Sequence, residues 1–186
     1  MAQVLIQSSA GFAAAFAQLL AARGERIDGA EAVAREALAA VKAEGMAAVL
    51  RLTAKIDGLV LTEDSVRVPD SARRRARAAC PPDLIAALEV AAERILAFHT
   101  AERPQDRRWT DAVGVEMGWR WTPVEAAGLY APGGLAAYPS SVLMNAMPAK
   151  AAGVDRLVMV TPPARLNDKP ASGAAAEIAG VDGSGA

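Results

Sequence analysis

Apolar positions recur at helical spacing along the first third of the chain. Phe12, Phe16, Leu19 and Leu20 fit one helix face after Ser9, and Gly24 is placed to stop that helix. A second helix is expected over Ala30–Ala43, with Val33, Ala37, Ala40 and Val41 inward, and Gly45 breaks it. A third runs from Met46 to Lys55 and ends at Gly58. Leu59 to Pro69 alternates weakly through Val66 and Val68, which predicts an extended segment or edge strand. Ser71 to Arg77 is a short basic helix. Pro82 to His99 carries the clearest stripe, Leu84, Leu88, Ala91, Ile95 and Phe98, with proline at its start. Arg103 to Asp111 is polar and reads as a hinge. Val113, Val115 and Met117 then alternate before Gly118, which predicts a hairpin feeding the next strand, with Trp119 and Trp121 on one side as core anchors.

The most informative stretch runs from Gly128 to Pro163. Leu129 and Tyr130 end a short strand. Pro132, Gly133 and Gly134 then force a turn, because proline fixes φ and glycine tolerates positive φ. Ser140 or Ser141 is the expected N-cap of a helix that turns Val142, Leu143, Ala146 and Ala149 to one face. Pro148 predicts a kink inside that helix rather than two helices. Gly153 is placed to end it in the left-handed conformation, and Leu157–Val160 has the continuous apolar character of a doubly covered parallel strand.

Strand, crossover helix and strand make a right-handed βαβ unit, and ligands bind such units beyond the carboxyl ends of the strands. Those ends are Tyr130–Gly134 and Thr161–Pro163. A glycine turn leading to a helix N-terminus suits a phosphate. The residues alone admit two readings, a nucleotide pocket with Tyr130 at its lip or a tight connection that holds no ligand; the G-x-G-x-x-G fingerprint is absent. Ala149–Asp155 recurs as Ala176–Asp182. The first copy leads into a strand, whereas the second leads into Gly183-Ser184-Gly185-Ala186, so the expectation is a missing strand, an open sheet edge and an uncovered face at Val158 and Val160.

Composition narrows the functional classes. The chain is 53% hydrophobic and 22% charged with a net charge of −1, which gives no global attraction to nucleic acid or membrane. No apolar run reaches the length of a spanning helix, and no Lys or Arg precedes Arg23 as a targeting segment would require. Cys80 is the only cysteine, as expected of a protein of the reducing cytoplasm. The run Arg73–Arg77 could meet phosphates, but without interleaved aromatics it reads as a solvated helix face. His99 and Cys80 read as structural, since one imidazole and one thiol cannot close a zinc site.

GLYAPGG followed by YPSSVLMNAMPAKAAGVDRLVMVTPP resembles the corresponding stretch of the histidinol dehydrogenases, and Ile56-Asp57-Gly58 and Phe98-His99 match shorter signatures of that family. The resemblance implies an NAD-dependent, zinc-requiring oxidation of L-histidinol through the aldehyde to L-histidine, the last step of histidine biosynthesis, in a cytoplasmic homodimer. It implies an α/β fold: an N-terminal helical arm over residues 1–58, then the opening half of an incomplete Rossmann-like βαβ domain over 59–186. Tyr130 carries over as an NAD contact, with Pro132, Gly133 and Gly134 as the turn beside it. No catalytic residue and no metal ligand carries over, because the family's Glu–His base pair and zinc ligands would lie beyond residue 186. The chain is therefore expected to be a truncated form, inactive alone. The alternative is a non-catalytic nucleotide-binding or dimerisation fragment. Neither nucleic acid nor membrane is expected as a partner.

Overall fold

The computed structural model describes residues 4–132, 137–162 and 170–185, with side chains for all of these except 22–28 and 184. The chain divides into two compact units, Met1–Leu61 and Thr62–Ala186.

The first unit is helical. α1 (Phe12–Glu44) is one continuous helix and α2 is Met46–Asp57. The break expected at Gly24 does not occur. A glycine inside a helix costs only about 1 kcal/mol relative to alanine, and the many alanines around it carry the helix past that position. The glycines that do act as stops take positive φ: Gly45 at 61°, with its N–H donating to the Val41 carbonyl (2.8 Å), and Gly58 at 68°. Phe12 and Phe16 stack at 5.5 Å, one turn apart. Ala48 is the buried residue of this unit among those described.

The second unit is mixed α/β. Its main sheet has the order β1-β6-β5-β4, where β1 is Arg67–Val68, β4 is Ala126–Tyr130, β5 is Arg156–Val160 and β6 is Gly183–Gly185. β4, β5 and β6 run parallel, and β1 joins β6 antiparallel as a short edge. α5 (Pro139–Ala152) connects β4 to β5, and α6 (Pro170–Ile178) lies between β5 and β6. α3 (Asp70–Ala78) packs on α6, and α4 (Pro82–Ala101) packs on α5.

One face of the sheet carries the core. Leu129, Leu157 and Met159 meet Val142, Leu143, Ala146 and Met147 of α5, Ala174–Ala176 of α6, and Leu88 and Ala92 of α4. Small residues on α6 let that helix lie close to α3 and α5. β5 is not covered on both faces as its apolar run suggested. It alternates, with Leu157 and Met159 buried while Val160 is 47% exposed.

The strand expected to be missing after Asp182 is present. β6 pairs Val158 with Gly183 and Val160 with Gly185, and β1 closes its other side. Ladder hydrogen bonds need only backbone, so Gly-Ser-Gly can form them without an apolar pattern. Asp182 fixes the register: its N–H donates to the Leu157 carbonyl (2.9 Å) and its carboxylate accepts from the Leu157 N–H (2.7 Å).

Three local expectations also change. α5 begins after Tyr138 with Pro139 in its first turn, so Ser140 and Ser141 lie inside the helix and no side chain caps it. Proline suits that position because its missing N–H would be unpaired there anyway. α5 then runs as one helix rather than two through Pro148, and it ends at Gly153 (φ 88°), the stop its sequence predicts. On α4, Phe98 turns outward, away from the stripe that Leu84, Leu88, Ala91 and Ile95 bury. The hairpin exists, but its first arm is β2 (Arg107–Thr110), drawn from the supposed hinge, and its second is β3 (Glu116–Trp119). Together they form a separate two-stranded sheet. Trp119 and Trp121 are exposed rather than core anchors. Trp119 packs edge-on against Trp109 at 5.1 Å, and the Arg107 guanidinium lies over both rings at 5.4 and 5.9 Å.

Candidate cofactor edge

The carboxyl ends of β4, β5 and β6 lie side by side, because all three strands run the same way. Ala131 extends the ladder one residue past β4, its buried N–H donating to the Val160 carbonyl (3.0 Å). Thr161, also buried, donates its N–H to the Gly185 carbonyl (3.2 Å). Both crossover helices begin at this edge. The Tyr138 N–H donates to Ser172 Oγ at 3.3 Å and so ties the start of α5 to the first turn of α6.

Tyr130 stands at the lip of this edge. Strand alternation turns Leu129 into the core and Tyr130 out onto the open face of the sheet, where it is 61% exposed and in register with Val160. Asn145 of α5 donates from Nδ2 to the Tyr130 carbonyl at 3.4 Å, a long contact. Pro132 is half-buried at the turn. Gly133 and Gly134 lie outside the described residues. Behind Tyr130 on the same face, a Cβ added to Gly128 would meet no atom of the described residues within 4 Å.

Asn145 and Ser172 escaped the sequence reading. Asn145 breaks an otherwise apolar helix segment, which is a signal in retrospect; Ser172 has no such mark.

The metal reading has a different outcome. Cys80 is buried just before α4, and burial pushes its thiol above the usual cysteine range, against thiolate formation. His99 is on the last turn of α4 with Nδ1 3.1 Å from Glu102 Oε2. Among the described residues no three His, Cys, Asp or Glu side chains gather as a metal site would need. This donor set does not fit zinc.

The basic run is not a uniformly solvated face. Arg73 is only 6% exposed, with Nη2 on Asp70 (2.8 Å) and Nε 3.7 Å from Glu177. Its Nε and Nη1 have no hydrogen-bond partner among the described residues. The reason is position: Arg73 falls on the side of α3 that faces α6, where Ala76 is also buried. Arg77 pairs with Glu89 across to α4.

A family model described as histidinol dehydrogenase matches residues 21–183. The histidinol dehydrogenase of Cereibacter sphaeroides is 47% identical over 182 residues, covering 98% of this chain and 42% of the relative. That of Caulobacter vibrioides is 50% identical over 159 residues, covering 86% and 36% respectively. The crystal structure of histidinol dehydrogenase from Elizabethkingia anophelis superposes with a TM-score of 0.73 at 29% identity, covering 83% of this chain and 36% of that one. The chain thus spans about two fifths of the length of such curated relatives.

Proposed function

The chain belongs to the histidinol dehydrogenase family, and from that premise we propose that it supplies the helical arm and the cofactor edge for an NAD-dependent oxidation of L-histidinol to L-histidine. The observation that carries this reading is the shared carboxyl edge of β4, β5 and β6, with an exposed tyrosine at its lip. Two successive βαβ units with this edge support a Rossmann-like half-domain over residues 59–186, and α1 and α2 support a helical arm over 1–58.

In this reading Tyr130 packs its ring against the dinucleotide, Pro132 fixes the direction of the turn, and Gly133 and Gly134 bring backbone close to phosphate. NAD, when bound, accepts hydride from the carbinol carbon. Asn145 steadies the Tyr130 backbone from α5, and Ser172 holds the two helix starts together.

The zinc ligands and the base that takes the alcohol proton belong, in this reading, to polypeptide other than these 186 residues. One buried, protonated thiol and one imidazole beside Glu102 support that assignment. The chain alone then binds cofactor weakly and does not turn over substrate. Exposed Phe16, Leu19 and Leu20 on α1 support an arm that packs on a second subunit of a homodimer. The single cysteine supports a cytoplasmic home, and no described helix is long and apolar enough to cross a membrane.

The test is cofactor affinity in a complex of this chain with the C-terminal part of a related histidinol dehydrogenase. Tyr130→Ala should raise the NAD dissociation constant about tenfold, the loss of one stacking contact of roughly 1–1.5 kcal/mol. Zinc content should stay unchanged. An unaltered NAD affinity by calorimetry removes Tyr130 from the site.

A further inference from the structure

The two-stranded hairpin takes no part in the cofactor reading, and its two faces differ in chemistry. Pairing of Arg107 with Trp119 and of Trp109 with Met117 puts those four side chains on one face. The other face carries Arg108, Thr110, Glu116 and Gly118, and Arg120 alternates back onto it just past the strand.

Gly118 stands directly opposite Arg108 and leaves bare backbone between Arg108 and Arg120. No other residue fits there: a Cβ would lie 2.5 Å from the Arg107 carbonyl oxygen and 3.1 Å from Arg108 Cγ. The result is a concavity of about 270 Å³ lined by Arg108, Glu116, Met117, Gly118, Trp119 and Arg120. That is below the roughly 300–1,000 Å³ of pockets for drug-sized ligands, so the occupant is small. Among the described residues neither Arg108 nor Arg120 has a carboxylate within 4.0 Å, whereas Arg107 is committed to its tryptophans.

We propose that this saddle binds a phosphate group, free or as a small phosphomonoester, between the guanidinium groups of Arg108 and Arg120. Diagonal neighbours across an antiparallel pair lie roughly 7–8 Å apart, so two arginine side chains can close on one tetrahedral anion from opposite sides. Their planar forks match phosphate oxygens in charge and geometry. Glu116 is the one acid in the lining and opposes the anion, which keeps the affinity modest. The site is separate from the Tyr130 edge and does not depend on it.

Trp119 lies in the lining between Gly118 and Arg120, while strand alternation puts its ring on the opposite face. ³¹P line width is therefore the direct readout and tryptophan emission an indirect one. The experiment titrates the 186-residue chain with inorganic phosphate and, separately, with glycerol phosphate, following tryptophan emission and ³¹P line width at ionic strength fixed with sodium chloride. Both readouts should saturate, and tighter binding of the ester than of the free anion identifies an ester as the ligand. Arg108→Gln and Arg120→Gln should each raise the dissociation constant about tenfold, the loss of one charge-assisted contact. Glu116→Gln should lower it. Absence of saturation by both readouts, or titrations unchanged in both arginine variants, overturns the proposal.

Discussion

Helices of similar, alanine-rich composition behave in opposite ways in the two units. On α6, Ala174, Ala175 and Ala176 are fully buried, where the helix packs on α3 and α5. On α1, none of the described residues is buried, although Leu20, Val33 and Leu38 are as apolar as anything in the core. Alanine therefore does two different jobs. In the second unit it permits close approach of helix to helix. In the first it holds a long helix by intrinsic propensity, with length offsetting the cost of nucleation. A region held by packing and a region held by propensity should fail under different substitutions.

The largest separation is expected from matched leucine truncations. Leu157 is wholly buried, so Leu157→Ala should cost about 2–5 kcal/mol in urea unfolding. Leu38 is 71% exposed, and Leu38→Ala should stay within about 0.5 kcal/mol. Equal costs would mean that α1 is packed as tightly as the sheet.

Asp182→Ala comes next. It removes the carboxylate that accepts from the Leu157 N–H, so β6 should loosen at a cost of roughly 1.5–3 kcal/mol. Amide exchange should quicken at Leu157 and Val158 while α1 is unchanged.

Gly29→Ala has the opposite sign. A Cβ there meets no atom within 4 Å, so the change should raise α1 helicity by about 0.5–1 kcal/mol without touching the second unit.

The smallest effect belongs to Cys80. Its folded pKa is raised by burial, so the folded state keeps a proton that the unfolded chain releases. That stability is fully present below the unfolded thiol pKa of about 8.5, and is lost as pH rises toward the folded value. Alkylation of Cys80 near neutral pH should be slower than that of a free peptide thiol, and unfolding should bring the two rates together.

The same contrast governs what could be read from sequence. α2, α4, β4, β5 and the end of α5 were legible because apolar period and stop residues agree there; Gly58 and Gly153 act as caps where expected. Gly24 misled, since a lone glycine is a stop only when the chain needs positive φ. β6 was invisible because Gly-Ser-Gly has no side-chain pattern, and its place is set by backbone and by Asp182. β2 was hidden by its charges, because a hairpin packed on its own tryptophans needs no apolar run. At the candidate site, the exposed placement of Tyr130 follows from strand alternation, whereas the ties from Asn145 and Ser172 depend on how α5 and α6 dock.

The most direct measurement is NADH formation with histidinol and added zinc, run on the purified 186-residue chain and on its complex with the C-terminal part of a related histidinol dehydrogenase. The account predicts no turnover by the chain alone and turnover by the complex. Turnover by the chain alone would contradict it, and would mean that the active site is built from residues assigned here to the arm, the core and the cofactor edge.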